Sequence, residues 1–157
     1  MAKKSPIQVK EEVVNLGYPR IIERRLQQIR FQLDEQKAES ICVCHLPNIR
    51  YLTNFSGSSA LLFIHENEIH FITDDRYEEQ IKEELYPLPN IKTHITRAPW
   101  NYLATSGVLN DVQSIAFEAD SMPYAFAVEI RNIIRPVKFK PATNMISRFM
   151  QPKDPDE

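Results

Sequence analysis

The sequence predicts an α/β protein of three layers, in which a mixed, mostly parallel sheet is covered by helices on both faces. Strand-like and helix-like segments alternate through the middle of the chain, the order that builds strands joined by crossover helices. The strand candidates are short apolar runs closed by Gly, Pro or polar clusters. The length, 157 residues, suits one domain that buries ~70% of its unfolded surface.

Taken in order, an N-terminal arm precedes Gly17 and Pro19, which punctuate the start of a long amphipathic helix. In it Ile22, Leu26, Ile29 and Leu33 recur at helical spacing, while Arg24, Arg25, Gln28 and Gln32 take other faces. SICVCH is a buried-type strand that Pro47 closes. Asn48 to Phe55 is spaced for a short helix or 3₁₀ turn. Gly57 to Ser59 supplies a turn, and Ala60 to His65, Glu66 to Glu68 and Ile69 to Thr73 read as strand, tight connection and returning strand.

After the hairpin, Asp75 is the expected N-cap of a helix reaching about Leu85, with Glu78 completing a capping box and Pro87 and Pro89 stopping it. Ile91 to Thr96 is a further strand. Pro99 suits the first position of a helix ending near Gly107 to Asn110, and Ser114 to Glu118 is a strand. Ser121 is the expected cap of a helix with the stripe Met122, Phe126, Ile130, Ile133 and Ile134, ended by Pro136. Val137 to Phe139 adds a short strand and Thr143 caps a last helix, Asn144 to Met150, before a polar, Pro-rich tail.

Composition excludes several classes. The 19 basic and 21 acidic residues are mixed, for a net charge of −2, so there is no electrostatic footprint for nucleic acid. The longest apolar run is far too short to span a bilayer and the start lacks the apolar core of a signal peptide, so no membrane association and a cytoplasmic location are expected. With three glycines, neither a phosphate-cradling loop nor a dinucleotide fingerprint can be written. The two cysteines, Cys42 and Cys44, are expected to pack as small strand hydrophobes on opposite faces, without a disulfide and without the four converging ligands of a closed zinc site.

Other constellations resolve to structure. HENEIH superficially resembles a zinc-protease helix, but His65 and His70 are five apart, ~140° from a shared helical face. Ser56, Ser58 and Ser59 lie in a turn with no nucleophile elbow. Asp74, Asp75 and Glu78 suit a helix N-terminus better than a metal site. Arg76 and Tyr77 either pack or project into a cleft at the end of the sheet, where sites of α/β folds tend to lie; packing is favoured. Trp100 is expected to anchor its helix in the core.

Five pieces stand in a telling order: RRLQQIRFQLDEQKAESICV, NIRYLTNFSGSSALLFI, FITDDRYEEQ, IAFEADSMPY and ISRFMQPKDPDE. Together they resemble the N-terminal domain of the creatinase/prolidase/Xaa-Pro aminopeptidase family, bacterial Xaa-Pro peptidase type; the specific part is NIRYLTNFSGS with TDDRY at its usual distance. Two departures stand out. Asn54 replaces a glycine common before the Phe, and asparagine is the residue best able to do so if φ is positive. Asp75 stands where many relatives carry a small or aromatic residue.

The resemblance implies a ribonuclease H-like sheet motif, an arm over 1–18, the domain over 19–150 and the start of a linker over 151–157. It implies that a following C-terminal domain carries the chemistry, with two aspartates, a histidine and two glutamates holding two divalent ions (Mn, Co or Zn) that activate water. No catalytic or metal residue is then expected in this chain, which alone should be inert. Its role would be to form a homodimer and to wall the active site of an enzyme cleaving small peptides with proline second. Asn48, Arg50, Tyr51, Asn54, Ser56, Asp75, Arg76 and Tyr77 are the implied rim or dimer-facing candidates. A stand-alone protein-binding module and the N-terminal half of a creatinase-like amidinohydrolase remain the alternatives.

Overall fold

A computed structural model describes residues 18–66, 68–88 and 90–146. Its elements are α1 (Tyr18–Gln36), β1 (Ser40–Val43), α2 (Leu46–Thr53), β2 (Ala60–His65), β3 (Glu68–Thr73), a 3₁₀ turn (Asp75–Tyr77), α3 (Gln80–Glu84), β4 (Ile91–Ile95), α4 (Pro99–Thr105), β5 (Ser114–Glu118), α5 (Tyr124–Ile134) and β6 (Lys138–Ala142). The six strands form one sheet in the order β4-β3-β2-β1-β5-β6. β1 pairs in parallel with β5, β5 with β6 and β3 with β4, while β2 runs antiparallel to both neighbours. The sheet is therefore mixed and mostly parallel, as the sequence predicts.

The two-residue period of a strand sends alternate side chains to opposite faces, and both faces are apolar. Ile41 and Val43, Leu62 and Ile64, and Ile69 and Phe71 meet the stripe Ile22, Leu26, Ile29 and Leu33 of α1, together with Ile49 and Leu52 of α2. On the other face, Cys42, Leu61, Phe63, Ile72 and Ile115 meet Trp100 and Leu103 of α4 and Ile130 and Ile134 of α5. Trp100 thus anchors its helix in the core, as expected. Each fully buried Leu, Ile or Phe contributes about 1.5–3 kcal/mol.

Several expectations are corrected. Cys42 and Cys44 share a face, since both pack in the second cluster; positions i and i+2 of a strand do so by geometry. Both thiols are free. Asp74 caps the turn after β3: its backbone is extended and its side chain accepts from the Arg76 N–H, while Glu78 stands at the C-cap. The expected helix is accordingly broken into a 3₁₀ turn and the five-residue α3.

At α5 the cap position is Pro123 and not Ser121. A proline disfavours helical geometry in the residue before it, so Met122 cannot be helical, and the Ser121 and Met122 N–H groups turn back onto the Glu118 carbonyl. The fourth helix stops at Thr105, ahead of Gly107 with φ +91°. Of the expected last helix, residues 143–146 are bend and turn, with Asn144 left-handed at φ 55°; its remainder, the arm up to Gly17 and the tail lie outside the described residues.

Phe71 is fully buried and meets Phe55 edge to face at 5.1 Å, so it joins the sheet to the loop before β2. Phe71→Ala is expected to lower the unfolding free energy by about 3–5 kcal/mol, measured by urea titration followed by circular dichroism.

Candidate functional site

The strand directions place all eight rim candidates at one end of the sheet. β1, β3, β4, β5 and β6 run the same way and β2 the opposite way, so α2, the loop before β2 and the 3₁₀ turn after β3 all gather at the carboxyl ends of the five co-directional strands. That end is where α/β folds place ligand sites. Within it the candidates divide among four local arrangements.

Asn48, in the first turn of α2, is buried and its amide donates to the Glu118 carboxylate. Glu118 also accepts the N–H groups of Cys44 at 2.8 Å and His45 at 3.1 Å. A carboxylate from β5 thereby satisfies the helix entrance that His45, the cap residue, leaves open with its own side chain. Burial, and then the Glu118 charge, push the Cys44 thiol up to about 12, which removes it as a nucleophile. Asn48 is a fastening of the fold; it does not stand on the rim.

Tyr51 lies under the Arg25 guanidinium, 3.8 Å from the ring centroid, and its carbonyl accepts from the same group. Arg50, next to it, is exposed. Tyr51 ties α2 to α1.

Asn54 has φ 72° and ψ 4° and ends α2 in the left-handed conformation, which is what its substitution for glycine requires. Its side-chain amide donates to the Glu84 carbonyl at 2.9 Å. The Glu84 carboxylate takes the Ser56 N–H and hydroxyl and the Gln80 amide. Desolvation raises its pKa, but these donors and the charge of Arg50 outweigh it and the net shift is downward.

Phe55, Gly57, Ser58 and Tyr77 form the tightest part. Tyr77 meets Phe55 at 5.3 Å with rings perpendicular, and its hydroxyl meets Ser58 through both the backbone N–H and Oγ. Those bonds, the hydroxyl contact first, lower the Tyr77 pKa. A Cβ on Gly57 would lie 2.2 Å from the Phe55 ring and 2.8 Å from that of Tyr77, so glycine is required here by close approach. Beside it, Arg76 grips Asp74 with two bonds of 2.9 and 2.7 Å, and Asp75 is held by Arg97 from the end of β4 at 2.9 Å.

Asn54 and Ser56 are thus brought together on Glu84; Tyr77 meets Phe55 and Ser58 beside them, and Asn48, Tyr51 and Asp75 are each held in separate contacts. Ser58 ends the loop that the sequence offers for the rim; Glu84, Gln80, Arg97 and Glu118 carry no such signal in the sequence, because they meet the site only through the fold. Among the described residues no group of three or more His, Cys, Asp or Glu could hold a metal ion. The carboxylates nearest the rim are already engaged: Asp74 and Asp75 by arginines, Glu84 and Glu118 by amide, hydroxyl and backbone donors. This donor set does not fit a dinuclear metal centre. Cavities of about 350 and 260 Å³ flank His45 and Pro47, both reaching Glu118 and Ser121. No helix among the described residues is long and apolar enough to cross a membrane.

Two outcomes are expected. Gly57→Ala, which forces a methyl against a fully buried ring, should cost about 1–3 kcal/mol by chemical unfolding. The hydrogen bonds and charge of Arg76 hold Asp74 down at about 2, so the clamp contributes stability above the ordinary carboxylate range near pH 4 and loses it as pH falls toward 2. Melting temperatures between pH 2 and 5 should show that step in the parent and not in Asp74→Asn.

The sequence matches the Creatinase/Prolidase N-terminal domain family over residues 25–149. The chain is 23% identical over 135 residues to an uncharacterized peptidase, YqhT, of Bacillus subtilis, covering 85% of this chain and 37% of that protein. It therefore spans well under half the length of that relative. The structure superimposes on an Xaa-Pro aminopeptidase from Streptococcus pyogenes with a TM-score of 0.72 at 24% identity, over 82% of this chain and 96% of that one. It also superimposes on the N-terminal creatinase/prolidase-like domain of a metallopeptidase from Corynebacterium diphtheriae with a TM-score of 0.61 at 30% identity, over 79% and 97%. With the family pattern matched over residues 25–149 and the six-stranded mixed sheet shared with these structures, the chain belongs to the creatinase/prolidase N-terminal domain family.

Proposed function

We propose that this chain is the non-catalytic N-terminal domain of an Xaa-Pro dipeptidase or aminopeptidase, acting in the cytoplasm. One observation carries the proposal: a family match over residues 25–149 in a chain that aligns with 37% of a peptidase. We divide the chain into an arm over 1–18, of which Tyr18 already belongs to α1, the domain over 19–150, and the start of a linker to a C-terminal domain over 151–157. That domain holds two divalent ions, Mn, Co or Zn, which supply an activated water for hydrolysis.

This domain's contribution is positional. It pairs subunits as a homodimer and closes one side of the active site, so that only a small peptide with proline second enters. The exposed Arg50 and Arg76 and the half-exposed Tyr77 face solvent at the carboxyl end of the sheet and are the groups able to meet a peptide or a partner subunit. Asp75 is neutralised by Arg97, which limits its reach toward a free cation.

The purified chain, given manganese or cobalt and an Xaa-Pro dipeptide, is expected to hydrolyse it no faster than buffer and to sediment as a dimer. Turnover above background would place chemistry in this half and end the proposal. The reading frame past the Glu157 codon is expected to enter the aspartate, histidine and glutamate ligands; a stop codon there would favour a stand-alone binding module instead.

A further inference from the structure

Away from the rim, on the face covered by α4 and α5, four side chains from three elements form a continuous chain of hydrogen bonds. Glu68 Oε1 lies 3.0 Å from His70 Nε2, His70 Nδ1 lies 2.9 Å from His94 Nε2, and His94 Nδ1 lies 2.7 Å from the Tyr102 hydroxyl. His70 is buried, and the imidazole planes are 17° apart. The chain links β3, the edge strand β4 and α4.

The chemistry of the ends fixes the direction of every proton. An ionised carboxylate only accepts, so His70 carries its proton on Nε2 and leaves Nδ1 bare. His94 must then carry its own on Nε2, and Tyr102 donates to His94 Nδ1. One proton taken from solvent reverses the line without breaking it. His70 becomes a double donor, to Glu68 and to His94 Nε2, and His94 stays neutral with its proton moved to Nδ1, donating to the Tyr102 oxygen. A second proton cannot be accommodated, because two imidazolium rings would set N–H against N–H at 2.9 Å.

We propose that Glu68, His70, His94 and Tyr102 form a one-proton latch that fastens the edge strand β4 and helix α4 to the sheet, and that a second proton opens it. The surrounding charges agree. Lys92 of β4 lies 3.4 Å from Glu68; the His70 ring is backed from β2 by the uncharged Phe63, on which His65 stacks. Glu66 and Asp111 are the other ionisable groups on the walls of the adjoining cavity of about 900 Å³, with Glu68, Lys92, His65 and His70 itself. Burial first, then His70 and Lys92, push the His94 pKa down. A group so depressed contributes stability above its ordinary value near 6.5, lost as pH falls toward the folded value, so the latch holds at neutral pH and yields in acid.

The test is long-range ¹H–¹⁵N correlation on the imidazoles of the full 157-residue chain. At pH 8 both rings should be protonated at Nε2. On acidification the pair should bind one proton, with His94 switching to Nδ1–H while neutral. Glu68→Gln should weaken that proton's binding about three- to tenfold. At lower pH amide exchange in β4, corrected for intrinsic rates, should rise at least tenfold, and His94→Gln should abolish the rise. Nδ1–H on either ring at pH 8, or two rings titrating independently with equal midpoints, would overturn the proposal.

Discussion

The constraint on which the structure depends is that its sheet is buried on both faces. Every central strand must feed two cores, so β1 and β2 are apolar at nearly every position and β3 at half of its six, and several of the polar side chains within them have dedicated partners. Ser40 donates to the Ser114 carbonyl, Thr73 to the Ser59 carbonyl, and His70 has its line of three partners. The remaining polar chemistry is expelled to the ends of the strands, which is why the rim residues collect beyond the carboxyl ends and why the histidine line runs out to an edge strand.

Glu118 shows the same constraint acting on a charge. It ends β5 at the boundary between core and loop, buried, and two backbone N–H donors from the β1–α2 connection and the Asn48 amide of α2 converge on it. A carboxylate placed there without donors would be costly; with them it fixes where α2 begins relative to β5, and so where the loop that follows α2 emerges. The rim is positioned from below by a residue that does not face it.

Much of this was legible in sequence. The hairpin, β5, the stripe of α1 and the Ile130 and Ile134 part of the α5 stripe followed from periodicity because two-sided burial leaves an apolar record; Phe126 of that expected stripe is exposed and Met122 precedes the helix. What failed was local competition. Asp74 and Asp75 are chemically equivalent caps; Asp74 takes the extended cap conformation, and Asp75 pairs instead with Arg97, two residues beyond β4. Ser121 has the chemistry of a cap, but Pro123 two residues later disfavours helical geometry at Met122 and moves the helix start past it. Glu84 and Glu118 were invisible as rim supports because their partners lie 28 and 70–74 residues away in sequence, a pairing that spacing cannot encode.

The stretch NIRYLTNFSGSS can now be explained residue by residue. Asn48 seats the helix on Glu118, Tyr51 lies against Arg25, Asn54 supplies the left-handed end, Phe55 plugs the core and Gly57 leaves room for two rings; Ser58 then meets Tyr77 of the DRY turn. Each specific residue answers a steric or hydrogen-bonding demand of one loop. A pattern selected for attacking a substrate would instead leave a nucleophile or base uncommitted, with a partner in reach to activate it. Most side chains of this motif are committed to the fold, so what it specifies is the shape of an edge at the carboxyl end of the sheet.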